Sequence, residues 1–315
     1  MKKPFLIGLI GARGYTGREL IRLIARHPSM MLAYASSREL AGKPVSEIAP
    51  EITDECLFEN IEPDAVAARR ADAVILALPD GAGAPFVEAF ERIAPQRVLL
   101  DLSADKRFDD TWVYGLPELD RKPIQSAKRI ANPGCYATAA QLALAPVIDR
   151  LDEVPSVFGV SGYSGAGSKP NPRNDITRLS DNLMPYAVTG HKHEREVAYR
   201  LKRSVMFTPH VHQTFRGLLI TVHGKLSAPM AGEEAVSSFK RFYEGEPLVD
   251  IVDEPPELSQ GSGLEGARIG GISVSDDGHR FAVICVIDNL LKGAAVQAVQ
   301  NLNLALGCEE LAGLH

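Results

Sequence analysis

The segment that most constrains this chain is its opening, "FLIGLIGARGYTGREL", residues 5–20. A short apolar run reads as a strand, and glycines recur at positions 8, 11, 14 and 17. A helical spacing of Leu20, Ile21, Leu23 and Ile24 follows, closed by Pro28. Strand, glycine turn and helix in that order let a backbone come close to a phosphate and aim a helix N-terminus at it. Gly11, Gly14, Tyr15, Thr16 and Gly17 are therefore candidates for the phosphate cradle of a dinucleotide. A tight turn without a ligand would use the same glycines.

The alternation continues. "MLAYAS" (31–36), "ADAVILALP" (71–79) and "RVLLDLSA" (97–104) read as strands, and "GAPFVEAFERI" (83–93) as a helix. This order predicts a parallel sheet with helices on its faces. NAD sites carry an acidic residue at the end of the second strand, whereas "YASSREL" offers Ser36, Ser37 and Arg38 there. Hydroxyls and an arginine suit a 2′-phosphate, so NADP is the expected cofactor. An ordinary surface arginine is the alternative for Arg38.

After residue 150 the pattern changes to "SVFGVSGYSG", "VMFTPHVHQTFRGLLITVHGKL", "RIGGISVSDDG" and "RFAVICVID", which read as strands. The fold class expected is α/β: an N-terminal Rossmann domain followed by an α+β domain with a mainly antiparallel sheet. "HEREVAYRLK", "GEEAVSSFKRFYEG" and "NLLKGAAVQAVQNLNLAL" (289–306) are the helix candidates there.

Composition excludes several classes. A net charge of -6 with no basic run disfavours nucleic acid and membrane surfaces as partners. There is no 18-residue apolar stretch to span a bilayer. The first apolar run is broken by Gly8 and Gly11, which reads against a signal peptide. Four scattered cysteines without a CxxC pair fit a reducing cytoplasm.

One of those cysteines stands apart. In "NPGCYAT" (132–138), Pro133 and Gly134 predict a turn, and Cys135 opens a helix that Pro146 should end. A thiol at a helix N-terminus is favoured as thiolate and is a candidate nucleophile. A buried, inert thiol is the alternative, and it fits Cys285 in "FAVICVID". Acyl chemistry at a thiol also needs a base. His191 and His193 in "GHKHEREV", and His210 and His212 in "TPHVHQTF", are two pairs of equal spacing. No carboxylate or cysteine shares that spacing, so no metal site is expected. The residues alone do not choose among the four.

These landmarks, with "ALPDG", "DLSADKRF", "YGLPEL", "GYSGAGSKP" and "RGLLITV", resemble in order those of the N-acetyl-γ-glutamyl-phosphate reductases, relatives of aspartate-semialdehyde dehydrogenase. The resemblance runs from about residue 5 to 307. It implies NADPH-dependent reductive dephosphorylation of an acyl phosphate in arginine biosynthesis, with inorganic phosphate released. It implies that Cys135 is the nucleophile, that His193 is the acid/base, and that His191 and Ser164 line the substrate site. Arg107 is a candidate for the substrate phosphate and Asn289 for the nicotinamide amide. A surface arginine and a helix cap, respectively, are the alternatives for these two. It further implies that residues 288–315 return to the NADP-binding domain of residues 1–134, leaving 135–287 for catalysis and oligomerisation as a dimer or tetramer. The family carries proline where Ala137 stands and arginine where Ser168 stands, which leaves Lys169 or Arg173 to supply that charge.

Overall fold

The computed structural model describes residues 3–52 and 55–314. The chain forms two compact units, one running to Pro133 and resuming at Ala294, the other spanning Gly134–Gly293.

The first unit is built on β1 (Phe5–Ile10), β2 (Met30–Ser36), β3 (Phe58–Glu59), β4 (Ala73–Leu76), β5 (Val98–Asp101), β6 (Val113–Tyr114) and β7 (Arg129–Ala131). They lie in the order β3-β2-β1-β4-β5-β7-β6, and every neighbouring pair is parallel. Ile7, Leu9, Ile75 and Leu99 are fully buried, as a sheet covered on both faces requires. The helices of this run are α1 (Tyr15–Ala25), α2 (Pro63–Ala68), α3 (Ala84–Ile93) and α4 (Pro117–Ile124). Leucine and isoleucine at helical spacing bury one face of α1, and this fixes the direction in which its N-terminus points.

The second unit contains β8 (Ser156–Gly162), β9 (Leu183–Pro185), β10 (Met206–His212), β11 (Leu218–Lys225), β12 (Val249–Ile251), β13 (Ala267–Val274) and β14 (Arg280–Ile287). Their order is β12-β13-β14-β11-β8-β10-β9. Four of the pairings are antiparallel, while β8–β10 and β12–β13 are parallel. The sheet is thus mixed. The parallel β8–β10 pair arises because the long excursion between those strands carries the chain back to its starting edge. That excursion holds α6 (Ile176–Leu179) and α7 (Lys192–Leu201). The remaining helices are α5 (Cys135–Leu144), α8 (Gly232–Phe242) and α9 (Leu258–Gly261).

Alternation divides this sheet into two faces. Val157, Phe207, Leu218, Ile220, Val283 and Cys285 are buried on the face that receives α5. Gly159 lies on this same face, where a Cβ would collide with the Tyr136 ring. Phe158, Thr208, His210 and Thr221 project from the opposite face, where Phe158 is exposed.

The helix expected over 289–306 is regular only from Val296, as α10 (Val296–Leu306), and is preceded by a π-turn at Leu291–Ala295. The cause lies in Asp288. Its carboxylate accepts the N–H groups of Leu290 and Leu291, and its carbonyl accepts Gly293 N–H at 2.8 Å, five residues on. α10 itself packs with α1, α4 and β5 in the first unit. It carries buried amides rather than a purely apolar stripe. Asn301 bonds Gly115 O and Asn132 Oδ1, and Asn303 bonds the carbonyls of Glu310 and Ala312.

Candidate active site

Cys135 is the first residue of α5 and is half-buried. Gly134 caps that helix in extended conformation and no side chain caps it. The positive end of the helix dipole lies at the thiol. Behind the thiol stands Gly293. A Cβ there would meet the Cys135 Cβ at 2.7 Å, so any larger residue would push the thiol out of place.

α7 packs on α5, and the starts of the two helices are bonded together. Glu196, 1% exposed, accepts the Gly134 N–H at 2.9 Å through Oε1. His193 lies three residues earlier on the same helix, hence on the same face. It is buried, and its ring lies 4.9 Å from that of His191 and 5.9 Å from that of Tyr136. His191 caps α7, and its Nδ1 accepts the His193 N–H at 3.2 Å. An Nδ1 that accepts must be unprotonated, so neutral His191 carries its hydrogen on Nε2. Burial, reinforced by the positive charges of Lys192 and Arg173, lowers the His191 pKa to about 4. Tyr136 donates its hydroxyl to His210 O at 2.7 Å and packs against Phe207 at 5.0 Å between ring centres.

The two histidine pairs are thereby separated. His191 and His193 stand at the start of the helix that touches α5. The side chains of His210 and His212 leave β10 on the face opposite α5, where His210 stacks on Phe158 at 4.3 Å. Cys285 is fully buried and its pKa is pushed far up by burial alone, which makes it an inert core residue.

Ser164 is buried, and its hydroxyl accepts the Asn289 Nδ2–H at 2.8 Å while Asn289 Oδ1 accepts Gly217 N–H at 3.0 Å. The two residues fasten the turn after β8 to the end of β14. Arg107, in the first unit, is 5% exposed, and it donates to Asn132 O at 2.9 Å and Leu102 O at 2.7 Å. It braces the loop after β5 against the end of β7, a task the sequence did not reveal.

In the first unit, Gly11 has φ +87° and faces the Ala77 carbonyl so closely that no side chain fits. A Cβ at Gly17 would strike the Ala12 backbone at 2.8 Å. Gly14 precedes α1 without a side-chain cap, and no acidic residue occupies its first turn. An open helix N-terminus behind backbone that excludes Cβ atoms fits a dinucleotide pyrophosphate. The N–H groups of Gly11 and Ala12 bond Ser36 O, which joins the cradle to the end of β2. Ser36, at the end of β2, is 5% exposed, and its hydroxyl accepts Ile61 N–H while keeping its own hydrogen to donate. Of the Ser36–Arg38 triplet only Arg38 is exposed. Beside it Arg13 pairs with Glu39 at 2.6 Å, so that carboxylate is held by a cation from the glycine loop.

Comparison with known proteins agrees with this arrangement. Residues 6–127 match the family described as semialdehyde dehydrogenase, NAD binding domain, and residues 135–289 match semialdehyde dehydrogenase, dimerisation domain. An N-acetyl-γ-glutamyl-phosphate reductase of Stenotrophomonas maltophilia is 52% identical over 310 residues, covering 98% of each chain. The chain belongs to the N-acetyl-γ-glutamyl-phosphate reductase family. A further member, from Xylella fastidiosa, is 49% identical over 98% of this chain and 95% of its own. The fold of the family extends to aspartate semialdehyde dehydrogenase II of Vibrio cholerae, with a TM-score of 0.76 and 18% identity over 96% and 98% of the two chains. It also extends to the Candida albicans aspartate semialdehyde dehydrogenase solved with NADP, with a TM-score of 0.73 and 14% identity over 96% and 98%.

Proposed function

We propose that the protein reduces N-acetyl-γ-glutamyl phosphate to N-acetylglutamate semialdehyde with NADPH, releasing inorganic phosphate, as a step of arginine biosynthesis in the cytoplasm. The observation that carries this reading is Cys135 at an uncapped helix start, bonded through Gly134 and Glu196 to the helix of His193.

The Cys135 sulfur attacks the acyl carbon, the C–O bond to the phosphoryl group breaks, and phosphate leaves with the electron pair. A thioester on Cys135 remains, a far better hydride acceptor than a carboxylate. NADPH, when bound, supplies that hydride. The first-turn N–H groups of α5 are oriented toward the oxyanion that develops on the former carbonyl. His193 protonates that oxygen and takes the proton back as the C–S bond breaks, returning the thiolate and the aldehyde. Neutral His191 donates its Nε2–H to a substrate oxygen. Gly11, Gly14, Tyr15, Thr16 and Gly17 hold the pyrophosphate, and Arg38 the 2′-phosphate. Asn289 keeps a second Nδ2 hydrogen for the nicotinamide amide. The chain assembles as a dimer or tetramer, a reading supported by the dimerisation-domain match over 135–289 and by the exposed Phe158 and Met206 of the second sheet.

The acyl phosphate is labile, so the test runs in reverse. Protein, NADP⁺, phosphate and N-acetylglutamate semialdehyde are mixed, and NADPH absorbance is followed, with aspartate semialdehyde alongside. Phosphate-dependent NADPH formation with the acetylated aldehyde alone is expected. A preference for aspartate semialdehyde would overturn the substrate while keeping the cysteine chemistry.

A further inference from the structure

The segment "GSKPNPRND" (167–175) is rich in proline and polar residues and reads in sequence as a loop. In the structure it is cross-braced by two asparagines. Asn171 Nδ2 donates to the carbonyls of Ala166 (3.2 Å) and Lys169 (2.9 Å), and its Oδ1 accepts Arg173 N–H at 3.0 Å. Asn174 Nδ2 donates to Gly167 O and Lys169 O, both at 2.8 Å, and its Oδ1 accepts Asn171 N–H at 2.8 Å. Lys169 is the hub of this network through its backbone alone, and its side chain is exposed.

Arg173 is presented differently. It is half-buried, and its guanidinium lies over the ring of Tyr186, 4.9 Å from the centroid. Tyr186 in turn meets His191 edge-on at 5.4 Å. The positive charge of Arg173 is felt at both residues, and Tyr186 also senses the charge of Cys135. Among the described residues Arg173 makes no ion pair with a carboxylate. A guanidinium positioned by an aromatic side chain keeps N–H donors for a two-pronged oxyanion. A cation that pairs with no carboxylate and stands near His191 can take the anionic group of a ligand.

We infer that Arg173 is the oxyanion anchor of the substrate site, its guanidinium laid on Tyr186 beside His191 to grip either the carboxylate or the phosphoryl group of the acyl phosphate. This rests on the reductase reading above and names a specificity determinant for it.

The test has two independent arms. In the reverse assay, Arg173→Met should raise a KM about 10- to 100-fold, the loss expected for a charge-assisted pair, with kcat changed less than about threefold. A rise for the aldehyde identifies the substrate carboxylate as the partner, and a rise for phosphate identifies the phosphoryl group. Arg173→Lys should recover part of the loss. The second arm needs no turnover. Alkylation of Cys135 is followed by mass spectrometry with anionic iodoacetate and neutral iodoacetamide. The iodoacetate-to-iodoacetamide rate ratio should fall about tenfold in Arg173→Met, and Arg173→Lys should keep most of it. An unchanged ratio in Arg173→Met with an unchanged melting temperature overturns the anchor, even if the reductase assay succeeds. A fallen ratio with no activity toward either aldehyde keeps the anchor and overturns the reductase reading instead.

Discussion

His191/His193 and His210/His212 have the same i, i+2 spacing within one structural unit, yet they occupy different chemical worlds. The first pair begins a helix. There His191 folds back to accept the next-but-one N–H, and His193 sits one turn before the carboxylate that holds Gly134. The second pair lies on a strand, where i and i+2 point the same way, and that way is the face turned from α5. Equal spacing in sequence therefore says nothing of equal role. The element that carries the pair decides what the pair can reach.

The sharpest break in this comparison is expected at the thiols. Cys135→Ala should lower turnover by on the order of 10⁴-fold or more while retaining NADPH binding, measured by cofactor fluorescence. Cys285→Ala should leave kcat within a few-fold, its loss being a small cavity. Equal losses would show that neither thiol is the nucleophile. Next comes the pair itself. His193→Asn should reduce kcat by about 10²- to 10⁴-fold, the usual worth of a positioned acid/base. His210→Asn and His212→Asn should each cost less than about threefold. A large loss at His210 would return it to the catalytic candidates.

Smaller effects probe what positions the first pair. Glu196→Ala leaves the Gly134 N–H without its carboxylate and should cost about 1–3 kcal/mol in denaturant unfolding, with Glu196→Gln restoring most of it. Smallest is a pH effect at His191. Its folded pKa, about 4, lies below its ordinary 6.5, so between these values the unfolded chain binds the extra proton. Stability from this residue is complete above pH 6.5, is lost as pH falls toward 4, and changes no further below that. His191→Asn keeps a capping side chain but cannot titrate. Its melting temperature should therefore fall less between pH 6.5 and 4 than that of the unaltered protein. Parallel profiles would mean that His191 is not held neutral.

Much of this molecule is legible in its amino-acid order. The first unit repeats one local rule, strand then turn then helix, and each element declares itself by its own period. Gly11 and Gly17 are needed because of backbone lying a few residues or one strand away. The thiol at the head of a helix is readable for the same reason, since Pro133, Gly134 and the apolar run after Cys135 are contiguous. Where long-range contacts decide, the sequence is mute. Asp288 turns the head of the last helix into a π-turn, and Gly293 then backs the Cys135 thiol from some 160 residues away in the chain. The bond from Ile61 N–H to the Ser36 hydroxyl likewise joins residues 25 apart. Glu196 reads as one more charge on an exposed helix until it is found on the Gly134 amide. Local sequence determined the elements, the glycine turn and the thiol at a helix start, because propensity, period and turn chemistry act over a few residues. Only the tertiary structure decided which histidines stand on the helix packed against that thiol's helix and which cation stands near them. Those choices depend on packing between segments that the linear order keeps apart.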